Sequence, residues 1–342
     1  AVETRTVNVV VTPNSYGIIA LHSMHLKQKS HIQSGFVGVN GIGEKPFIAG
    51  GAQLMMGVQA RTAPQVRVST PSVSLLNKAR IAGTLVYSEL GRVAKNARIG
   101  TQEEVPESYW PLFGPTEAYD LPAFETGTPG TDNIDVKQKK RKTLEPGAYG
   151  NVRVRQKGTL ILTGGTYELK NLHVGQHARV ICQAAVTLLI QNKFHLDQHA
   201  VLRPDEESGI DASDILVYVE GVNGRNGRLR ASPKAAKVGV QARCMANIYA
   251  PNGTVWLRQK SHSRGSFIGK DVIVGVQARV QVQSGWNTPG VIFDPPADVA
   301  TKITLTKPVL EDEVEDAGEA LVFGVDQNFP NPFNPDTAIR YV

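Results

Sequence analysis

The 342-residue chain predicts an all-β fold: a β-solenoid, or β-helix, of about 20–22 residues per coil, with an irregular insertion and extended termini. Three observations predict it. Near-identical short strings recur along the chain, β-branched strands lie between them, and no amphipathic run of helical period lasts beyond two turns, the best being 309–322.

The first string is Gly-x-Gln/His-Ala-Arg. It stands at Gly57-Val58-Gln59-Ala60-Arg61, Gly175-Gln176-His177-Ala178-Arg179, Gly239-Val240-Gln241-Ala242-Arg243 and Gly275-Val276-Gln277-Ala278-Arg279. A second string stands at Leu26-Lys27-Gln28-Lys29-Ser30-His31 and Leu257-Arg258-Gln259-Lys260-Ser261-His262, each followed by an aromatic and glycine, Phe36-Val37-Gly38 and Phe267-Ile268-Gly269. A third pair, Leu172-His173-Val174-Gly175-Gln176-His177-Ala178 and Phe194-His195-Leu196-Asp197-Gln198-His199-Ala200, repeats at a 22-residue offset. That offset fits one turn of a solenoid, which stacks like positions above one another.

Each element between the strings follows from alternation and β-branching. Thr159-Leu160-Ile161-Leu162-Thr163, Val186-Thr187-Leu188-Leu189-Ile190, Ile215-Leu216-Val217-Tyr218-Val219 and Val272-Ile273-Val274 read as strands, and Gly, Asn or Pro punctuates them. Gly57, Gly175, Gly239 and Gly275 are expected to supply the backbone turn. Ala60, Ala178, Ala242 and Ala278 are small enough to point inward at a corner, and the Gln and Arg point outward or form ladders. About 180 residues of repeat-like sequence predict a rod of roughly 40 Å, built from around eight or nine coils.

The organisation read from composition is an N-terminal strand or arm over 1–20, the first part of the solenoid over 21–100, an irregular acidic insertion over 101–145, the main solenoid over 146–290 and an acidic extended tail over 291–342. The net charge of +6 conceals an alternation. Residues 1–100 carry 11 Lys and Arg against 3 Asp and Glu, and 146–290 carry 18 against 9, whereas 101–145 carry 5 against 9 and 291–342 carry 3 against 10. Basic bodies alternate with acidic segments, so the chain supplies its own counter-charge. Nucleic-acid binding would rest on the basic bodies alone and is not expected.

With two cysteines this is no disulfide scaffold, and no stretch reaches the roughly 18 apolar residues of a membrane-spanning helix. Cys182 and Cys244 lie an even number of residues beyond the repeat alanines, which places them on inward faces as small buried hydrophobes. A disulfide stays open, although the chain between them implies a separation of several coils. His173/His195 and His177/His199 should face each other one coil apart. Two imidazoles so placed could share an ion, but no carboxylate or thiolate cluster completes a ligand set, so a stacked polar ladder is expected, with no metal and no cofactor.

Nucleophile elbows, zinc-protease strings and phosphate loops are missing from the sequence, and no catalytic residue is assigned. The acids Asp205-Glu206-Glu207, Asp211 and Asp214 are crowded in sequence rather than spaced by a coil, as a solvated loop would have them.

Two resemblances add to this reading. Pro146-Gly147-Ala148-Tyr149 through Gly165-Thr166-Tyr167, then Ala246-Asn247-Ile248-Tyr249-Ala250-Pro251-Asn252-Gly253 and Phe267-Ile268-Gly269, resemble a family of bacterial secreted, polymer-type β-helical domains. That family is similar in spirit to bactofilins, which polymerise through stacked solenoid ends. The segment Asp326-Gln327-Asn328-Phe329-Pro330-Asn331-Pro332-Phe333-Asn334-Pro335 resembles the start of a C-terminal sorting domain of the type IX secretion pathway. The second resemblance implies export by a Gram-negative bacterium to the cell surface or beyond, and the first implies assembly of the chain with itself.

The expectation is therefore a non-enzymatic structural subunit of an extracellular filament, fibre or sheath. Val7, Val9 and Val11 of the N-terminal strand, Glu311, Asp312 and Glu313 of the tail, and Phe329 and Phe333 of the sorting string are its expected subunit contacts. The competing expectation is a surface-anchored β-helix that binds or cleaves carbohydrate, with cell-surface glycans as partners. It predicts a groove with stacked aromatics, and Trp110, Trp256 and Trp286 are scattered in sequence.

Overall fold

The computed structural model describes residues 17–41, 52–111 and 121–286, together with the backbone of two short strands, Thr4–Val7 and Ile303–Thr306. Those two strands pair antiparallel, Thr4 opposite Thr306 and Val7 opposite Ile303, in a unit of their own. The rest of the described chain winds into one 23-stranded sheet whose pairings are all parallel, as a β-solenoid requires.

Each coil has three runs. Val186–Leu196 supplies two of them and Val201–Pro204 the third. Bends within the long strands mark the first corner, with register shifts between Leu169 and Asn171, Ala250 and Thr254, and Ala20 and Ser23. A tight turn makes the second corner. Inward positions alternate with outward ones, visible in Gly147–Val154, where Gly150, Val152 and Val154 are buried and the residues between them are exposed. The inward residues merge into one apolar core along the column, including Val154, Val174, Leu196, Leu257, Val274, Leu26 and Leu75.

The coils do not stack in chain order. The column begins at Ile134–Val136 and Arg141–Leu144 and rises through Gly147–Val154, Gly165–Val174, Val186–Leu196, Ile215–Val219 and Asn247–Leu257 to Phe267–Val274. The next coil comes from the opposite end of the sequence: Ile18 of Ile18–Leu26 pairs with Phe267, and Leu26 with Val274. From there the column continues through Phe36–Val39, Arg67–Leu75 and Arg80–Val93 and finishes on Arg98–Glu104. Ten full coils, with a two-run coil at one end and a single run at the other, at about 4.8 Å each, make a body of about 50 Å. This exceeds the eight or nine coils expected because residues 67–104 and 134–144 contribute coils whose turn strings are only faintly repeat-like.

Glu104 lies at one end of the column and Ile134 at the other, and the described residues of the acidic stretch between them touch the column at several levels. Trp110 Nε1 donates to Ser88 Oγ at 2.7 Å near the last coil. Phe124 packs edge-on against Tyr218 and Tyr249, with centroids 5.7 and 5.1 Å away, in the middle. Thr128 N donates to Glu168 Oε2 at 3.2 Å near the first coils. This strap explains an outward stripe that is apolar rather than polar: Leu189, Tyr218, Tyr249, Ile268 and Ile19 follow one another up the first face and are buried. Trp286 joins the stripe and donates from Nε1 to the Tyr218 hydroxyl at 3.1 Å.

Candidate functional site

The repeated strings form the second corner of the coils, and their geometry departs from the expected one. The glycines do not carry the left-handed conformation. It falls two residues later, on Gln59, His177, Gln241 and Gln277, and equally on Lys29, Lys260 and other turn residues, with φ between 54° and 58°. Glycine is required by close approach instead: a Cβ on Gly239 would sit 2.3 Å from the Asp197 carbonyl oxygen, and one on Gly275 would sit 2.6 Å from the Arg258 carbonyl carbon. Ala60, Ala178, Ala242 and Ala278 are fully buried beneath the turn. The left-handed residues sustain a backbone ladder of their own, in which Gln241 N donates to Gln259 O, Lys260 N to Val276 O, Gln277 N to Gln28 O and Lys29 N to Val58 O, all at 2.9 Å. These bonds offset a left-handed cost of about 1 kcal/mol per residue.

Stacked in space, the two families of strings alternate. The order up the column is 239–243, 258–262, 275–279, 27–31 and 57–61, fixed by the pairings Arg243–His262, His262–Arg279, Arg279–His31 and His31–Arg61. In these five coils Gln at the left-handed position goes with Arg at the strand start, and Lys there goes with His. The alternation persists across the junction between Phe267–Val274 and Ile18–Leu26, where the chain itself is discontinuous. These side chains line a shallow groove of about 590 Å³ along the corner.

The groove is cationic by construction. Arg243, Lys260, Arg279, Lys29 and Arg61 give one fixed positive charge per coil, and among the described residues no carboxylate lines it. Among the described residues none of the five makes an ion pair, whereas basic residues elsewhere do, as in Arg155–Asp135 at 2.8 Å and Lys237–Asp197 at 3.0 Å. Placing His between the arginines keeps like guanidiniums two coils apart, about 10 Å, near one Debye length. His31 and His262 are held below the ordinary imidazole range, by partial burial first and then by Arg61 and Arg279 around His31 and Arg279 and Arg243 around His262.

The histidine pairs lie one coil apart as the offset implies: His177 and His199 stack with centroids 4.6 Å apart, and His173 meets His195 edge-on at 6.5 Å. His173 Nε2 bonds Asp197 Oδ2 at 2.7 Å, and His195 Nε2 bonds the Lys234 carbonyl at 2.9 Å. The Asp197 carboxyl is held well below its usual range, chiefly by His173 and also by Lys237. Among the described residues no group of three or more candidate ligands assembles a metal site.

Cys182 and Cys244 are free, buried and inward-facing, and burial pushes the Cys244 thiol up to about 12. In the acidic loop Glu206 pairs with Arg203 at 2.8 Å, and Asp211 caps the short turn Ala212–Asp214. A Ser–His–Asp grouping, Ser23, His22 and Asp271, has no nucleophile–base contact: Ser23 Oγ donates to Asp271 Oδ1 at 2.6 Å, and His22 Nδ1 meets the same oxygen at 2.9 Å. Among the expected subunit contacts, Val7 lies in the Thr4–Val7 strand. Val9, Val11, Glu311, Asp312, Glu313, Phe329 and Phe333 fall outside the described residues.

Fold and corner geometry define a parallel β-solenoid. Comparison with protein-family models and with curated proteins finds no match to the chain.

Proposed function

We propose that the chain is an exported structural subunit that stacks end to end into an extracellular filament or sheath. The observation that carries this reading is the chemistry of the last full coil. Leu90 and Val93 occupy the inward column, paired with Val73 and Leu75, yet they are 39% and 43% exposed. Core positions left open to solvent at a strand edge invite another coil.

At the opposite end Ile134 and Val136 hold the same inward positions but are already buried, so that end offers its strand edge: Ile134–Val136 and Arg141–Leu144 are bonded on one side only among the described residues. A second copy placed there continues the parallel register. Because the two ends differ, the contact is heterologous, and repeating it makes a filament rather than a closed dimer. The antiparallel pairing of Thr4–Val7 with Ile303–Thr306 is a ladder that neighbouring copies can exchange. Similarity of the 146–290 region to polymer-type β-helical domains, and of 326–335 to the type IX sorting motif, supports assembly and export across a Gram-negative outer membrane.

Leu90→Lys/Val93→Lys tests the reading. Sedimentation velocity should show the wild type assembling with concentration while the double variant stays monomeric with an unchanged circular dichroism spectrum. A wild type that remains monomeric at every concentration and ionic strength contradicts it.

A further inference from the structure

The cationic corner groove lies on the middle coils, away from both ends, and stacking leaves it open. We propose that it is a binding site for a linear polyuronate, an anionic polysaccharide held at one sugar per coil. Five successive coils each present one fixed cation, Arg243, Lys260, Arg279, Lys29 and Arg61 in order. The first four also present one uncharged or weakly basic hydrogen-bonding side chain to the groove, Gln241, His262, Gln277 and His31 in the same order. A uronate sugar has the matching pair of features: one carboxylate for the cation, and hydroxyls that both donate to and accept from an amide or imidazole.

Spacing selects among polyanions. The cations advance one coil at a time but alternate between two lines, Arg243, Arg279 and Arg61 at the strand start and Lys260 and Lys29 at the turn, so like cations recur about every 10 Å. An extended uronate chain, whose successive sugars turn their carboxylates to alternate sides, presents the same two-line pattern. An extended acidic peptide shows same-side carboxylates about 7 Å apart, and a duplex strand shows phosphates about 3.4 Å apart, so neither keeps step over five coils. Single-stranded nucleic acid is bound on aromatic platforms, and no Phe, Tyr or Trp lines the groove. The aromatic stripe that a stacking platform would need lies instead under the strap at Phe124.

The histidines add a pH response to the same geometry. His262 lies between Arg243 and Arg279 beside Lys260, and His31 between Arg279 and Arg61 beside Lys29. Partial burial first, and then the neighbouring arginines, hold both below the ordinary imidazole range, so acidification adds charge to the groove. Uronate affinity should therefore rise as pH falls from neutral towards 5.

The experiment is biolayer interferometry of the full chain against immobilised hexagalacturonate near physiological ionic strength. Glutamate hexapeptide and oligothymidylate of equal charge serve as comparators. Hexagalacturonate should bind at least tenfold more tightly than either, and severalfold more tightly at pH 5 than at pH 7.5. Arg61→Gln/Arg243→Gln/Arg279→Gln, all exposed side chains, should lose tenfold or more, while Lys139→Gln/Lys140→Gln/Lys142→Gln at the first coil should bind as the wild type does. Equal binding of the three ligands, preference for oligothymidylate, or an arginine triple variant that folds and binds normally would each overturn the proposal. If the triple variant fails to fold, the ligand ranking and pH response of the wild type still decide it.

Discussion

At the residue scale the corner turn is controlled by two positions that act differently. Gly275 is there because the neighbouring coil's backbone leaves no room for a Cβ, so Gly275→Ala should lower stability by about 1–3 kcal/mol in urea unfolding. Gln277 holds φ 57° without being glycine, so a β-branched side chain there should cost about 1–2 kcal/mol while leaving the fold intact. The sequence marks the glycine plainly but not the left-handed position, because Gln and Lys, which hold most of these positions, have no strong preference for that region and the neighbours impose it. The inward parity of Cys182 and Cys244 was legible from the repeat alanines. Both thiols should resist a thiol reagent until the chain unfolds, and reaction in native buffer at the rate of a free thiol would contradict their burial. His25 is mostly buried, and burial together with Lys27 lowers its pKa from 6.5 to about 4. The unfolded chain then binds the proton more readily than the folded one. The contribution of His25 is complete above pH 6.5 and is lost as pH falls through 4, so thermal melts should show a midpoint falling over that window and a shallower fall in His25→Gln.

At the element scale the strands were legible because period-2 alternation and β-branching mark them, and because coil length repeats. Their stacking order was not. The strings at 27–31, 57–61, 239–243, 258–262 and 275–279 show no alternation in chain order. It emerges only when Ile18–Leu26 is laid on Phe267–Val274. Local sequence encodes the coil, whereas the choice of neighbouring coil depends on pairing across the whole chain. The strap was obscure for a related reason: its anchors, Trp110, Phe124 and Thr128, are sparse and carry no period. Phe124→Ala removes an aromatic contact with Tyr218 and Tyr249 and should cost about 2 kcal/mol, seen as faster proteolysis within 105–133 while the strand core persists. Unchanged proteolysis would mean that the strap is held elsewhere.

At the scale of the whole molecule, the modest net charge of +6 resolves into a cationic groove along one corner of a column that an acidic strap follows along another face. One end of the column leaves the core positions Leu90 and Val93 half-exposed, and the central proposal is that another copy completes the coil there. The direct measurement is cryo-electron microscopy of the purified full chain, with the power spectrum of any filament. End-to-end stacking predicts a meridional reflection at about 4.8 Å and an axial rise per subunit near 50 Å. Single particles at every concentration, or filaments whose strands run along the axis, would contradict it.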